Sequence, residues 1–392
     1  MMKTIVIGCA CLLALGCAEG PRTETPMFFE GSWEDAFEAA RAEDKLVYVD
    51  FQTEWCGPCR QMEEEVYPDP DVRQFLDSHF VAISIDAEKG EGRRLAFRYR
   101  VRAYPTHLFF DHDGKLVARF VGGMSKDYFL DAVRASIAPT AQPTLTGISP
   151  SGDLAFPSFC AEYIDGSVPP SDSAVADHLA RQADWFDEAA WTVVFWFGQS
   201  EDVWRFVSTN SNRLRTLFGD DDVRHKTESL ARGELRRAIS QRDPARRDTA
   251  IARYRRTSDE RGVEFRIWNF RYEYCLGTDD WDGIVTMLEE AMADSRRSID
   301  DGTLNNAAWS MYLRCDDEDA LRWATATMKE ATDRSPVYAF VDTYAALLFK
   351  TGRLKDAEVQ ARRAIDIGTK AKEDVASTRE LLGKIRAALA KT

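Results

Sequence analysis

Basic residues are in deficit: 51 Lys and Arg stand against 65 Asp and Glu, a formal charge of −14. No basic patch with interleaved aromatics stands out, so nucleic acid is not an expected partner. The acidity argues for solubility and gives no functional signal. Cysteine is sparse. Eight in 392 residues are too few for a disulfide-stapled scaffold, so the fold must rest on a hydrophobic core, for which a 44% hydrophobic content is ordinary. A second pair of ligands at zinc-knuckle spacing is missing. The apolar run at the N-terminus, Thr4 to Gly16, is too short to span a bilayer as a helix.

What is present is organised around Glu54-Trp55-Cys56-Gly57-Pro58-Cys59-Arg60. Two cysteines three positions apart share a helix face. An apolar run precedes them, so both sulfurs are expected in the first turn of a helix. There the unpaired N–H groups and the positive end of the macrodipole favour a thiolate. That placement lowers the pKa of the first thiol and lets the second attack a mixed disulfide. The competing reading, a zinc half-site, lacks its second ligand pair.

Met1 to Gly20 reads as a secretory signal, with Lys3 in a positive n-region. Its end, Leu13-Ala14-Leu15-Gly16-Cys17, resembles the bacterial lipobox. That resemblance implies that residues 1–17 are a lipoprotein-type signal, that Cys17 is lipidated and that an outer-membrane or surface anchor follows. The alternative is an ordinary signal cut elsewhere; either way the protein is expected to be exported. Residues 18–27 read as a polar tether.

The next stretch predicts the order α-β-α-β-α-β-β-α. Apolar residues at 33, 36, 37 and 40 have helical spacing, with Ser32 as N-cap. Leu46 to Phe51 reads as a strand buried on both faces, with Asp50 as its odd member. A buried carboxylate there has a raised pKa, unless Asp50 sits at the strand end and reaches water. A helix from Gln61 to Asp77, broken near Pro68–Pro70, precedes the strand Phe80 to Asp86. Gly90 to Tyr99 is a further helix. Strands Leu108–Phe110 and Leu116 to Val121 flank the turn Asp111-His112-Asp113-Gly114, and a helix runs from Ser125 to about Ala138. Interleaved helices imply parallel pairing, and the hairpin implies an antiparallel edge.

Residues 28–138 resemble a thioredoxin domain of the exported thiol:disulfide interchange type. The resemblance is carried by Val49-Asp50-Phe51, Trp55-Cys56-Gly57-Pro58-Cys59, Tyr104-Pro105-Thr106 and Val121-Gly122-Gly123 with Ser125-Lys126. It implies an α/β thioredoxin fold, a mixed sheet flanked by helices. By matching positions, Cys56 is the attacking thiolate, Cys59 the resolving thiol, and the two form the redox disulfide. Asp50 matches the proton-shuttling aspartate, and Pro105 a cis-proline beside Cys56. Trp55, Gly57, Pro58, Tyr104, Pro105, Thr106 and Gly122 are the expected substrate-binding positions. The lysine that often neighbours the aspartate is absent, with Ala82 near its place. His107 and His112 are read as surface or turn histidines. The Gly-Pro filling implies a reducing couple acting on protein disulfides, fed by a membrane-borne donor. No cofactor or metal is expected.

Residues 139–157, rich in Pro, Ser, Thr and Gly, read as a linker. Beyond them no strand alternation occurs. Residues 158–260 read as helical and aromatic-rich, with helices from Ser173 to Gly198, Glu201 to Phe218 and Asp222 to Ser240. Residues 261–390 read as helix pairs. Ala345, Leu348, Gly352, Leu354, Ala357, Ala361 and Ala364 have the spacing of a tetratricopeptide repeat, with weaker copies over Leu304 to Ala331 and Phe265 to Ala293. Such repeats imply a protein partner; a plain helical bundle is the alternative. Cys160, Cys275 and Cys315 are expected as buried thiols.

Overall fold

The computed structural model describes residues 27–137, 145–150, 154–166, 168–258, 262–294 and 299–391. The expected signal segment with Cys17, the tether up to residue 26 and much of the linker lie outside the described residues. Among the described residues, no helix is long and apolar enough to cross a membrane.

The first elements are α1 (Trp33–Glu43), β1 (Leu46–Gln52), α2 (Gly57–Glu65), α3 (Pro70–His79), β2 (Phe80–Asp86), α4 (Gly90–Arg98), β3 (Thr106–Phe110), β4 (Leu116–Val121) and α5 (Lys126–Ile137). The sheet order is β2-β1-β3-β4. β1 pairs parallel with β2 and antiparallel with β3, and β3 pairs antiparallel with β4. The expected α/β architecture is therefore present. Local chemistry explains its boundaries. Ser32 and Asp35 form a reciprocal capping box at the start of α1. Asp69 caps α3, whose first residue is Pro70. Gly114 takes φ +86° in the β3–β4 turn. β1 is central, so Val47, Tyr48, Val49 and Phe51 are all fully buried.

The chain divides into two compact units, and the expected boundary at the linker is not where the division falls. One unit runs to Gly198 and includes Arg213–Gly219; the other comprises Gln199–Asn212 and everything from Asp220. Three helices beyond the linker, α6 (Ser158–Ile164), α7 (Asp172–Ala180) and α8 (Glu188–Phe197), thus belong to the first unit. The reason is an interface on α4. Arg98 Nε lies 3.1 Å from Glu188 Oε1, both side chains being 4% exposed. Glu188 also accepts the Ser149 N–H, and Arg98 donates to the Ser149 carbonyl. The Trp196 indole donates to the Phe97 carbonyl at 2.9 Å and stacks on its ring. The predicted helix from Ser173 to Gly198 is two helices, because Asp184 turns the chain and Asp187 caps α8 afresh.

The remaining elements are α9 (Glu201–Phe218, bent at Asn210), α10 (Asp220–Gln241), α11 (Pro244–Thr257), α12 (Val263–Thr278), α13 (Trp281–Ala293), α14 (Asp301–Arg314), α15 (Glu318–Arg334), α16 (Tyr338–Lys350), α17 (Leu354–Ala371) and α18 (Ala376–Leu389). In the second unit, α14 packs on α15, α15 on α16, α16 on α17 and α17 on α18. Small side chains allow the close α16–α17 approach: Ala345, Ala346, Ala357, Ala361 and Ala364 are fully buried. Gly352 makes the turn between them at φ +77°. The helical character expected beyond residue 158 is present throughout this unit, in a form consistent with helical repeats.

Candidate active site

β1 emerges from the sheet at Gln52, and four residues later Cys56 opens α2. Cys56 is the N-cap of that helix. Its Sγ accepts the Cys59 N–H at 3.1 Å, and Pro58 fills the first turn, where no donor is needed. Cys56 and Cys59 are joined as a disulfide, and both are buried. The loop before them is tied back by the Cys56 N–H to the Thr53 carbonyl and by Arg60 to the Glu54 carbonyl.

The expected binding positions gather around this helix start. The Tyr104–Pro105 peptide bond is cis. Gly122, at φ +101°, donates its N–H to the Pro105 carbonyl at 2.8 Å, which ties the end of β4 to that loop. A side chain at Gly123 would meet Pro58 at 3.1 Å, so the chain just after β4 passes close to the cysteine helix. Thr106 is buried and donates to the Ala103 carbonyl, which stiffens the loop from within. Trp55 is 65% exposed. Its indole N–H donates to Glu88 Oε2 at 2.9 Å, and its ring meets Tyr104 edge-on. Gly57 has open space where a Cβ would point. Lys89 bridges Glu54 and Asp86 beside the rim.

Asp50 is 2% exposed, so its carboxyl does not reach water. Burial pushes its pKa up to about 7. The Tyr67 hydroxyl pulls it down, and the charge of Glu63 pushes it up. Its Oδ1 has no hydrogen bond.

The surface or turn assignment holds for His112, which is exposed in the hairpin turn, and fails for His107. His107 is fully buried, because β3 places it directly opposite Asp50 on β1. Its Nδ1 lies 2.8 Å from the Tyr48 hydroxyl and 3.4 Å from Asp50 Oδ1. The Tyr48 and Tyr67 hydroxyls are 2.9 Å apart, and Tyr67 bonds Asp50. Burial pushes the His107 pKa down to about 4, opposed in part by the Gly122 main chain. The sequence did carry a signal for Tyr48: residues 48 and 50 share a strand face by the two-residue period.

The other described cysteines lie outside this helix start. Cys160, Cys275 and Cys315 are buried and free, and burial raises all three thiols, the first two to about 12.

Known proteins bear directly on this arrangement. A family model for a thioredoxin-like domain matches residues 33–137. Thioredoxin-1 of Drosophila melanogaster is 40% identical over 81 residues, 21% of this chain and 70% of that protein. The thiol:disulfide interchange protein DsbD of Tatumella citrea is 32% identical over 98 residues, 24% of this chain but only 17% of that protein. The solution structure of a thioredoxin from Thermus thermophilus is 33% identical and covers 26% of this chain and 81% of its own, with a TM-score of 0.24.

Proposed function

Through residues 33–137 the chain belongs to the thioredoxin family, and from that premise we propose that it is an exported thiol:disulfide oxidoreductase that reduces protein disulfides. The observation that carries this reading is the position of Cys56 at the N-cap of α2, with the buried carboxyl of Asp50 on the strand that leads to it. In the reduced protein the first turn of α2 favours a thiolate at Cys56. That thiolate attacks a substrate disulfide and forms a mixed disulfide. Asp50 takes the Cys59 proton, and the Cys59 thiolate attacks Cys56 Sγ, releasing the reduced substrate and closing the Cys56–Cys59 bond. Trp55, Gly57, Pro58, Tyr104 and Gly122 form the surface on which an extended substrate segment lies, with Pro105 and Thr106 shaping the loop beneath it and the loop backbone as pairing edge.

Export and tethering through a lipidated Cys17 follow from the N-terminal sequence pattern. A membrane-borne donor would return electrons to the closed pair. The helix pairs of the second unit suit a protein partner of tetratricopeptide-repeat type. A groove of about 820 Å³ between α15 and α16, lined by Leu321, Thr325, Lys329, Tyr344 and Arg353, supports that part of the reading.

The test is reduction of insulin disulfides with dithiothreitol as donor. Cys56→Ser is expected to fall to the uncatalysed rate; activity equal to the parent would remove Cys56 from its role. Equilibration with glutathione buffers tests direction, and a couple as oxidising as that of a dedicated disulfide oxidase would reverse it.

A further inference from the structure

Four buried polar groups stand in a row, Asp50 and Tyr48 on β1, His107 on β3 and Tyr67 in the link between α2 and α3. Asp50 is bonded by Tyr67, the Tyr67 and Tyr48 hydroxyls are 2.9 Å apart, and Tyr48 lies 2.8 Å from His107 Nδ1. Three hydrogen bonds need three protons between the heavy atoms. An ionised carboxylate only accepts, so Tyr67 must donate to Asp50. The Tyr67 oxygen then accepts the one proton Tyr48 has. The Tyr48 oxygen is left to accept, and the ring nitrogen facing it must donate. We propose that His107 is a positioning residue, a neutral imidazole with its proton on Nδ1, that begins a one-way donor chain through Tyr48 and Tyr67 and holds Asp50 ready to act as base.

Two further observations fit. A ring whose protonation is suppressed by burial has a single proton to place, and Nε2 makes no hydrogen bond. The chain occupies one carboxylate oxygen and leaves Oδ1 buried and unbonded, 3.4 Å from the same Nδ1. Oδ1 is therefore the oxygen that receives a proton. The proposal rests on the role given to Asp50 above. In that step the Cys59 S–H bond breaks and an Oδ1–H bond forms. The Cys59 thiolate then bonds Cys56 Sγ, and the electron pair of the broken mixed disulfide leaves on the substrate sulfur, which collects the proton. The chain keeps its direction throughout, because only Oδ1 changes state.

Other groups face this row from each packed element. α2 presents Glu63, whose charge opposes ionisation of Asp50. α5 presents the uncharged ring of Phe129, edge-on to His107. The β4–α5 junction presents the Gly122 main chain.

The test is carbon NMR titration of the Asp50 carboxyl in the oxidised full-length protein, where the cysteines do not titrate. Tyr67→Phe, Tyr48→Phe and His107→Leu are each expected to move the Asp50 midpoint upward, Tyr67→Phe by on the order of one pH unit and the other two by less. His107→Gln, which keeps an N–H at the ring position, should stay nearer the parent than His107→Leu. An unmoved midpoint in Tyr48→Phe overturns the proposal, since that variant keeps the ring and fills the same space. Nitrogen shifts of His107 in the parent give a second reading that needs no variant. A proton on Nδ1 supports the chain, and a proton on Nε2 alone overturns it. Neither measurement depends on disulfide reduction, so a failed insulin assay and a failed titration are separate results.

Discussion

Cys56 and Cys275 are the same side chain at opposite ends of two different helices. Cys56 is the N-cap of α2, where the Cys59 N–H donates to its sulfur. Cys275 lies in the last turn of α12, where carbonyls converge, and its thiol sits 3.4 Å from Asp280 Oδ2. Helix polarity alone assigns them different chemistry: the macrodipole favours an anion at the first position and opposes it at the second. Burial first, and then the neighbouring aspartate, pushes the Cys275 thiol up to about 12. Two packed regions differ as well. The first unit gathers the carboxyl of Asp50, the imidazole of His107 and the phenols of Tyr48 and Tyr67 in its interior, whereas the α16–α17 contact in the second is built largely of alanine and leucine.

The strongest way to probe this contrast is to remove the buried charge. Asp50 has a folded pKa near 7, above its unfolded value. Its contribution to stability is therefore complete below about pH 4 and is lost as pH rises through 7. His107 is opposite: its folded value of about 4 lies below the unfolded one, so its contribution is present above about pH 6.5 and is lost as pH falls through 4. Between about pH 4 and 6.5 the two oppose each other, and the parent should be nearly flat there. Asp50→Asn is expected to gain up to roughly 4 kcal/mol at pH 8 and to lose roughly 3 kcal/mol between pH 6.5 and 4. Urea denaturation across that range reads both changes, and a variant as flat as the parent would show that the pair does not titrate as described.

A somewhat smaller effect is expected in the other unit. Leu348 is fully buried in α16, and Leu348→Ala should cost about 3 kcal/mol through lost burial and an unfilled cavity. The Asp50 titration should not move in this variant. A shift there would mean that the loss in α16 is felt at the Asp50 carboxyl.

The smallest effect sharpens the cysteine comparison itself. In reduced native protein at pH 7, alkylation of Cys56 should outrun that of Cys275 and Cys160 by at least about a hundredfold. Mass spectrometry of tryptic peptides at timed quenches gives the ratio, and comparable rates would erase the distinction drawn from helix polarity.

Much of the first unit was legible in residue order. The strand Leu46–Gln52 announced itself by an unbroken β-forming run, α1 by its apolar spacing and capping serine, and the redox helix by the spacing of Cys56 and Cys59. Asp50 was legible as an anomaly in an apolar strand. His107 was not, because a histidine in a strand has no local mark of burial; only the pairing of β1 with β3 sets it opposite Asp50. Tyr67 likewise lies seventeen positions from Asp50, and no periodicity joins them. The extent of the first unit was hidden for a similar reason. Arg98 and Glu188 are ninety residues apart, and each by itself reads as a surface charge on a helix.

That ion pair bears on how separable the redox fold is from its neighbours. A chain ending at residue 138 would keep every recognised motif yet strip α4 of its cover. Arg98 would lose Glu188, and the aromatic face of Phe97 would lose Trp196. An orphaned guanidinium beside bare apolar surface invites self-association. The portable piece of this protein is consequently not the segment that carries its signature, but a longer one that brings its own helical jacket with it.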